Sequence, residues 1–208
     1  MKAHPSDRLS AERQQALFSA AVQEFSSRGF KQASLNRIIA ETGMSKSSFY
    51  HFFANKADLF HRTLDHCTAP YVAGLAAYDP TCLQAENFWS ELQSVMRAQT
   101  LMANASSEIG LVVRMLQRAL DDPEEKAFIA DLMETTTHWL AALIRRGQQL
   151  GLVRNDLPET LLIATIMGFS MSFDQWIFAR WDELSDDERL TLADAGADAY
   201  RRLLEAKN

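Results

Sequence analysis

The sequence predicts an all-α fold with nine helices in two domains: a three-helix head over residues 1–56, and a larger helical body over 57–208. Three observations carry this. Apolar residues recur at helical spacing along most of the chain, and no alternating pattern marks a β-hairpin. Cap residues punctuate that spacing at regular intervals. Residues 34–56, SLNRIIAETGMSKSSFYHFFANK, hold two short helices across a tight turn, which is the helix-turn-helix arrangement.

The elements follow in order. A first helix runs from about Ser10 to Ser27, with Leu17, Ala20, Ala21 and Phe25 on its core face and Gly29 ending it. Ser34 stands at the N-cap of a second helix that ends at Gly43. Ser45 opens a third, which ends near Phe53. Asn55 caps a fourth, with Asp58 placed for a capping box, and it runs to about Ala77. Thr81 with Gln84 is expected to start the fifth helix, ending near Met102. Ser107 starts a sixth, to about Leu120. Asp122-Pro123-Glu124-Glu125 places a cap, a proline in the first turn and two acids at the start of a long seventh helix that ends near Gly151. Asp156 with Glu159 opens the eighth, to about Arg180. Ser185 with Glu188 opens the ninth, to about Glu205. No repeat or low-complexity linker interrupts them.

Composition narrows the function. A hydrophobic content of 47% supports a core. The net charge of −6 argues against a nucleic-acid binder, but it is unevenly spread. Residues 1–56 hold eight Lys/Arg against four acids, and the remaining 152 residues hold 13 against 23. A basic head on an acidic body suggests that only the head meets phosphate. The helix after Ser45 turns Lys46, Ser47, Ser48, Tyr50 and His51 away from Phe49 and Phe53. These side chains donate hydrogen bonds or carry positive charge and none is acidic, as a helix in the major groove of DNA requires. Lys46 can donate to guanine O6 and N7, Tyr50 suits a phosphate, and Lys56 in the first turn of the next helix adds its charge to the helix dipole.

With those residues on the page, the segment resembles the tetracycline-repressor (TetR) family of bacterial transcription regulators. The resemblance rests on Ser34, then Ile39-Ala40-Glu41-Thr42-Gly43-Met44-Ser45, then Lys46 through Leu59, and it covers about a quarter of the chain. It implies that Lys46, Ser47 and Ser48 read base edges, that Tyr50 and Lys56 hold phosphates, and that Ser34 caps its helix and contacts the backbone of the DNA. Two positions depart from the family pattern: Ser47 replaces a common glycine, and Phe52 replaces a common histidine and so removes a polar tip. The implied protein is a repressor that binds a palindromic operator as a homodimer and is released by a small molecule.

The body supplies weaker signals. Phe128, Leu132, Thr135, Thr136 and Trp139 share a helix face that mixes rings with hydroxyls, the usual lining of a small-ligand site. Trp89, Met96, Phe169 and Phe173 are placed with them, and the absence of a basic residue on these faces points to an uncharged or weakly polar effector. Ala164, Gly168 and Ser172 form a row of small residues four apart, and the last helix carries Ala193, Gly196 and Ala197 with Tyr200 beside them. The resemblance makes these two helices a dimer interface.

Other classes find little support. His61 and Asp65 read as a helix ion pair rather than a metal site. No catalytic triad, phosphate-cradling loop or paired-carboxylate pattern stands out, so neither an enzyme, a cofactor nor a metal is expected. A helical module whose head docks a protein is the runner-up. Cys67 and Cys82 form no disulfide framework and suit a reducing cytoplasm. The N-terminal residues lack the apolar stretch of a signal peptide. The longest apolar run, Leu161–Phe169, falls short of the roughly 20 residues that span a bilayer.

Overall fold

The computed structural model describes residues 4–104 and 108–206. The described residues form helices: α1 (Ala11–Gln32), α2 (Leu35–Glu41), α3 (Lys46–Phe52), α4 (Lys56–Ala77), α5 (Phe88–Asn104), α6 (Ile109–Asp121), α7 (Pro123–Lys126), α8 (Ala130–Gln149), α9 (Glu159–Phe178) and α10 (Asp186–Leu204). A 3-10 turn, Ala127–Ile129, joins α7 to α8, and Lys126, Ala127 and Ala130 keep right-handed helical backbone. The expected long helix is therefore one path with a tightened turn, and counted so the described residues hold nine helices. The only β feature among them is a single bridge between Val153 and Glu205.

Several caps stand where the sequence puts them. Ser45 Oγ accepts from Ser48 N–H, 3.0 Å away. Asp122 accepts from Glu124 N–H, and Ser185 with Glu188 forms a complete capping box. Asn55 accepts from Asp58 N–H, but the reciprocal Asp58 carboxylate takes the N–H of Ala54 at 2.8 Å rather than that of Asn55. Gly29 adopts φ 71°, a left-handed conformation open to glycine at little cost, and breaks α1 before a last turn at Phe30–Gln32.

Three starts differ. Ser34 stands at the N-cap of α2 without a side-chain cap bond. Its N–H instead donates to Glu24. The helix expected at Thr81 begins only at Phe88. Asp79 caps a short 3-10 turn at Pro80–Cys82, and Leu83 then takes an extended backbone that ends it. Asp156 does not open α9. It is held by Arg154 in a two-pronged pair, while Glu159 pairs with Arg145, and Pro158 stands at the N-cap. The expected start at Ser107 lies outside the described residues.

The chain divides into two compact units. The first comprises residues 1–69 and 111–130, the second 70–110 and 131–208. The first thus takes in most of α6 and all of α7 besides the expected head. Its core holds Leu17, Phe25, Ile38, Phe49, Phe53, Leu59, Phe60 and Met115. The second has its own core around Phe88, Leu143, Ile144, Leu162, Ile166 and Leu204. α10 packs along α5 there. α9 is long and apolar enough, with a mean hydropathy of 1.4, to cross a membrane by length and composition alone. The nine-residue run read from the sequence understates it, because Ser170 and Ser172 satisfy their hydroxyls on carbonyls one turn back.

The tightest backbone approach in the second unit is at Gly147. A β-carbon there would stand 2.2 Å from Val153 Cγ2 and 2.7 Å from Phe88 Cζ. Gly147→Ala is therefore expected to destabilise the chain by about 1–3 kcal/mol through overpacking, although alanine is the better helix former. A thermal melt showing an unchanged or raised midpoint would contradict that packing.

Candidate functional site

α3 is placed by its inward face. Phe49 is fully buried and stacks on Phe53 at 5.2 Å, which leaves the opposite face outward. Lys46, Ser47, Tyr50 and His51 are exposed there and Ser48 is half-buried. Tyr50, 57% exposed, stands edge-on to Phe49. Its ring is steadied while its hydroxyl stays free of any hydrogen bond among the described residues. α3 carries no acidic residue.

α2 is locked to α1 by Glu24. The Glu24 carboxylate accepts from Arg37 Nη2 at 2.6 Å, from Arg37 Nε, and from Ser34 N–H at 2.7 Å, and Arg28 lies 3.7 Å away. Burial works against its ionisation, but the bonds from Arg37 and Ser34 and the two arginine charges outweigh it and hold the carboxyl below the usual range. Ser34 is therefore half-buried and positioned by its backbone.

Lys56 has a second task that the sequence did not reveal. Its ammonium donates to Lys31 O at 3.0 Å and Ala33 O at 3.2 Å, and lies 4.9 Å over the Phe30 ring. It closes the free carbonyls where α1 meets α2, which leaves one of its three donors for another acceptor.

The end of α1 is also clamped by α6 and α7. Phe30 N–H donates to the buried Glu125 carboxylate at 3.0 Å. Lys31 pairs with Asp122 at 2.8 Å, and Arg118 reaches Ser27 O. Phe128 meets Phe30 at a tilt and Phe60 edge-on, with ring centroids 5.2 and 5.1 Å apart. Phe128, expected to line an effector site, thus belongs to the ring cluster of the first unit. The chain passes between the two units in α4, in α6 and at the start of α8.

The remaining expected effector residues lie in the second unit. Thr136 donates its hydroxyl to Leu132 O one turn back. Phe169 stacks on Phe173 and meets Tyr200 edge-on at 5.0 Å. Met96 and Phe173 both press on Gly196, where a β-carbon would come within about 3.0 Å of each. Trp139 donates its indole N–H to Tyr78 O, and Trp89 lies under Arg201. Leu132 is half-buried on the face of Thr136. Ser170, whose hydroxyl meets that of Tyr200, joins this group and was not anticipated.

The expected interface residues divide. Ala164, Gly168 and Ser172 are exposed on α9, and no atom lies within 4 Å of where a Gly168 β-carbon would stand. Ala193 and Ala197 are buried, and Tyr200 turns inward to Ser170. Small residues on α10 serve packing inside one chain, because α5 already occupies that side. His61 and Asp65 form the expected helix pair at 3.5 Å, and no metal-binding group of three occurs among the described residues.

Comparison with known proteins accounts for this geometry. Residues 17–63 match the model of the bacterial regulatory proteins of the tetR family, so the helix-turn-helix is of that family. No curated protein matches the chain. Solved structures match over nearly its whole length. The fatty acid degradation regulator FadR from Bacillus halodurans has a TM-score of 0.73 at 16% identity, covering 93% of this chain and 97% of its own. The regulator FadR from Bacillus subtilis, solved with stearoyl-CoA, has a TM-score of 0.70 at 15% identity, with 90% and 97% covered. The SmeT–triclosan complex has a TM-score of 0.68 at 14% identity, with 90% of each chain covered.

The Glu24 cluster carries a pH signature. A carboxyl with a lowered folded-state pKa contributes stability above its unfolded value, here 4.5, and loses it as pH falls through the lower folded value. Glu24→Gln is expected to lower the melting temperature at neutral pH. The gap to the natural chain should narrow as pH drops below about 4.5. A gap that stays constant down to pH 3 would show that the ionised carboxylate is not what joins α1 to α2.

Proposed function

We propose that this chain is a transcriptional regulator that binds a palindromic operator as a homodimer, and that an apolar small molecule bound in its helical body releases it. Residues 1–56 act as the DNA-binding domain and 57–208 as the ligand-binding and dimerisation domain. The chain works in the cytoplasm by binding rather than catalysis. The observation that carries the reading is the outward face of α3, where Lys46, Ser47, Tyr50 and His51 stand exposed on a buried, ring-packed support.

Within that reading Lys46, Ser47 and Ser48 read bases, while Ser34, Tyr50, His51 and the spare donor of Lys56 meet phosphate. Dimerisation is favoured by α9. Its mean hydropathy is high, yet only 22% of it is buried in the single chain. Leu161, Ala164, Thr165, Gly168, Met171, Ser172 and Trp176 share its exposed arc. An apolar arc of that length left open on one chain is what a second copy would cover. The neighbours solved with stearoyl-CoA and with triclosan favour a body that admits ligands with a large apolar part.

Gel-shift titration on DNA flanking the chain's own gene, at two salt concentrations, tests the DNA assignment. Binding should weaken steeply with salt, because phosphate contacts release counterions. Lys46→Ala is expected to cost roughly 1–3 kcal/mol and to relax base preference. Lys56→Ala should weaken all sequences about equally and also lower the melting temperature, since it opens the carbonyls at the end of α1. Unchanged affinity and salt slope in the double variant would place the DNA-binding surface elsewhere.

Gly168→Arg tests the dimer. No atom of its own chain crowds Gly168, so the variant should fold while a charged side chain is forced into the interface. Sedimentation should show monomers, and operator affinity should fall with them, because paired half-sites about 34 Å or a multiple apart need two joined heads. An intact dimer would move the interface off this face of α9.

A further inference from the structure

Residues 4–9 lie outside the helix-turn-helix yet are folded firmly into the first unit. His4 stands at the N-cap of a 3-10 turn, Pro5–Arg8, that packs against α3. Ser6 and Leu9 are buried there. From α1, the Gln14 amide donates to Ser6 O at 3.1 Å and to Leu9 O at 3.2 Å. From α4, Arg62 Nη2 donates to Asp7 Oδ1 at 2.7 Å, and one turn earlier Asp58 Oδ1 meets His4 Nε2 at 3.1 Å. The other oxygen of Asp7 accepts from His4 N–H at 2.8 Å. Chain ends fray unless they are tied down, and this segment is tied to two helices.

The two ring nitrogens of His4 have different work. Nδ1 accepts from Ser6 N–H at 3.1 Å and lies 2.6 Å from Ser6 Oγ. These partners assign the neutral ring with its proton on Nε2, which then donates to Asp58. The second oxygen of Asp58 accepts from Ala54 N–H at 2.8 Å, in the turn just after α3. The His4 ring also lies 5.6 Å from that of Phe53, the buried C-cap residue of α3. His4 therefore reaches both groups that fix where α3 stops: Phe53 by its ring, and Ala54 through Asp58. The order Ser6–His4–Asp58 is that of a hydrolase triad, but Ser6 is buried, so its hydroxyl serves the turn rather than a substrate.

We propose that His4 is a positioning residue for DNA recognition: it pins residues 4–9 to α4 as a strap that fixes the end of α3, and so the aim of Lys46, Ser47 and Tyr50. Groups that must sit within about 0.5 Å of a productive geometry depend on supporting bonds of this kind. This rests on the reading that α3 meets DNA, and it extends the machinery of recognition to residues that touch no base.

Titration of the full chain on operator and on non-specific DNA, with two variants, tests it. Asparagine offers an acceptor where Nδ1 stands, and glutamine a donor where Nε2 stands. His4→Asn thus keeps the bond to Ser6 N–H and loses Asp58. It should weaken operator binding roughly three- to tenfold, the worth of one net hydrogen bond. Non-specific binding should stay within about twofold, since it depends on phosphate charge. His4→Gln should hold operator affinity within about twofold of the natural chain. In an Asp58→Ala background His4→Asn should cost less than about twofold more, because both changes break one link. Amide hydrogen exchange in the unbound chain gives a readout free of DNA: His4→Asn should speed exchange at Phe53 and Ala54 and leave Leu17 and Ile38 in the core unchanged. Operator and non-specific binding that fall together, a loss in the Gln variant as deep as in the Asn variant, or unchanged exchange at Phe53 and Ala54 overturns the assignment. Lys46→Ala separates the two readings. Operator binding that Lys46→Ala weakens and His4→Asn does not keeps the reading of α3 and sinks this one. Indifference to Lys46→Ala, with faster exchange at Ala54 in His4→Asn, keeps the strap and sinks the reading of α3.

Discussion

The first unit depends on how α1 ends. A helix terminus leaves its last carbonyls without partners, and α1 ends inside the protein. Gly29 turns the chain through a left-handed conformation. The groups freed by that turn are then shared out: Arg118 takes Ser27 O, Lys56 takes Lys31 O and Ala33 O, and Glu125 takes Phe30 N–H. Only the Phe30 N–H bond to Glu125 is buried, and leaving such a group unpaired costs about 1–3 kcal/mol; with the bonds nearer the surface, three elements, α4, α6 and α7, meet at one spot. Phe30, Phe60 and Phe128 pack beneath it. Glu24, five residues earlier, fixes α2 to the same helix.

That arrangement alters how a signal can reach α3. Residues 111–130 are part of the same packed unit as the helix-turn-helix, so α6 and α7 offer a route beside α4. A ligand shifts such an equilibrium only through contacts that differ between two states. The ion pairs at Lys31 are exposed and individually weak, whereas the Glu125 bond is buried and Phe128 is half-buried against Phe30 and Phe60. These two contacts are the part of the clamp able to resist or transmit a displacement.

Most of the fold was legible because helical periodicity and caps are local. Ser45, Asp122 and Ser185 mark their helices in three or four residues, and the structure repeats them. What failed was decided by contacts distant in sequence. Ser34 is a good cap by type, but Glu24 claims its N–H from ten residues away. Asp156 is a good cap by type, but Arg154 holds it. Phe128 sits on a helix face with Thr136 and Trp139, yet the tightened turn at 127–129 and the rings of Phe30 and Phe60 assign it to the other unit. Lys56 looked like a solvent-facing charge because no local rule exposes the carbonyls it closes. On α3 the separation of buried from exposed residues was readable in full, since Phe49 alone sets the inward direction of a seven-residue helix.

The two faces of α9 bring the body's proposed roles onto one element. Its outward arc, from Leu161 through Gly168 to Trp176, is exposed and mainly apolar. Its inward arc buries Leu162, Ile163, Ile166 and Ile177 and stacks Phe169 on Phe173 against Tyr200. Under the proposed function one rigid helix would carry both the dimer face and a wall of the effector site, so a ligand that shifts the inward rings would also bias the outward face.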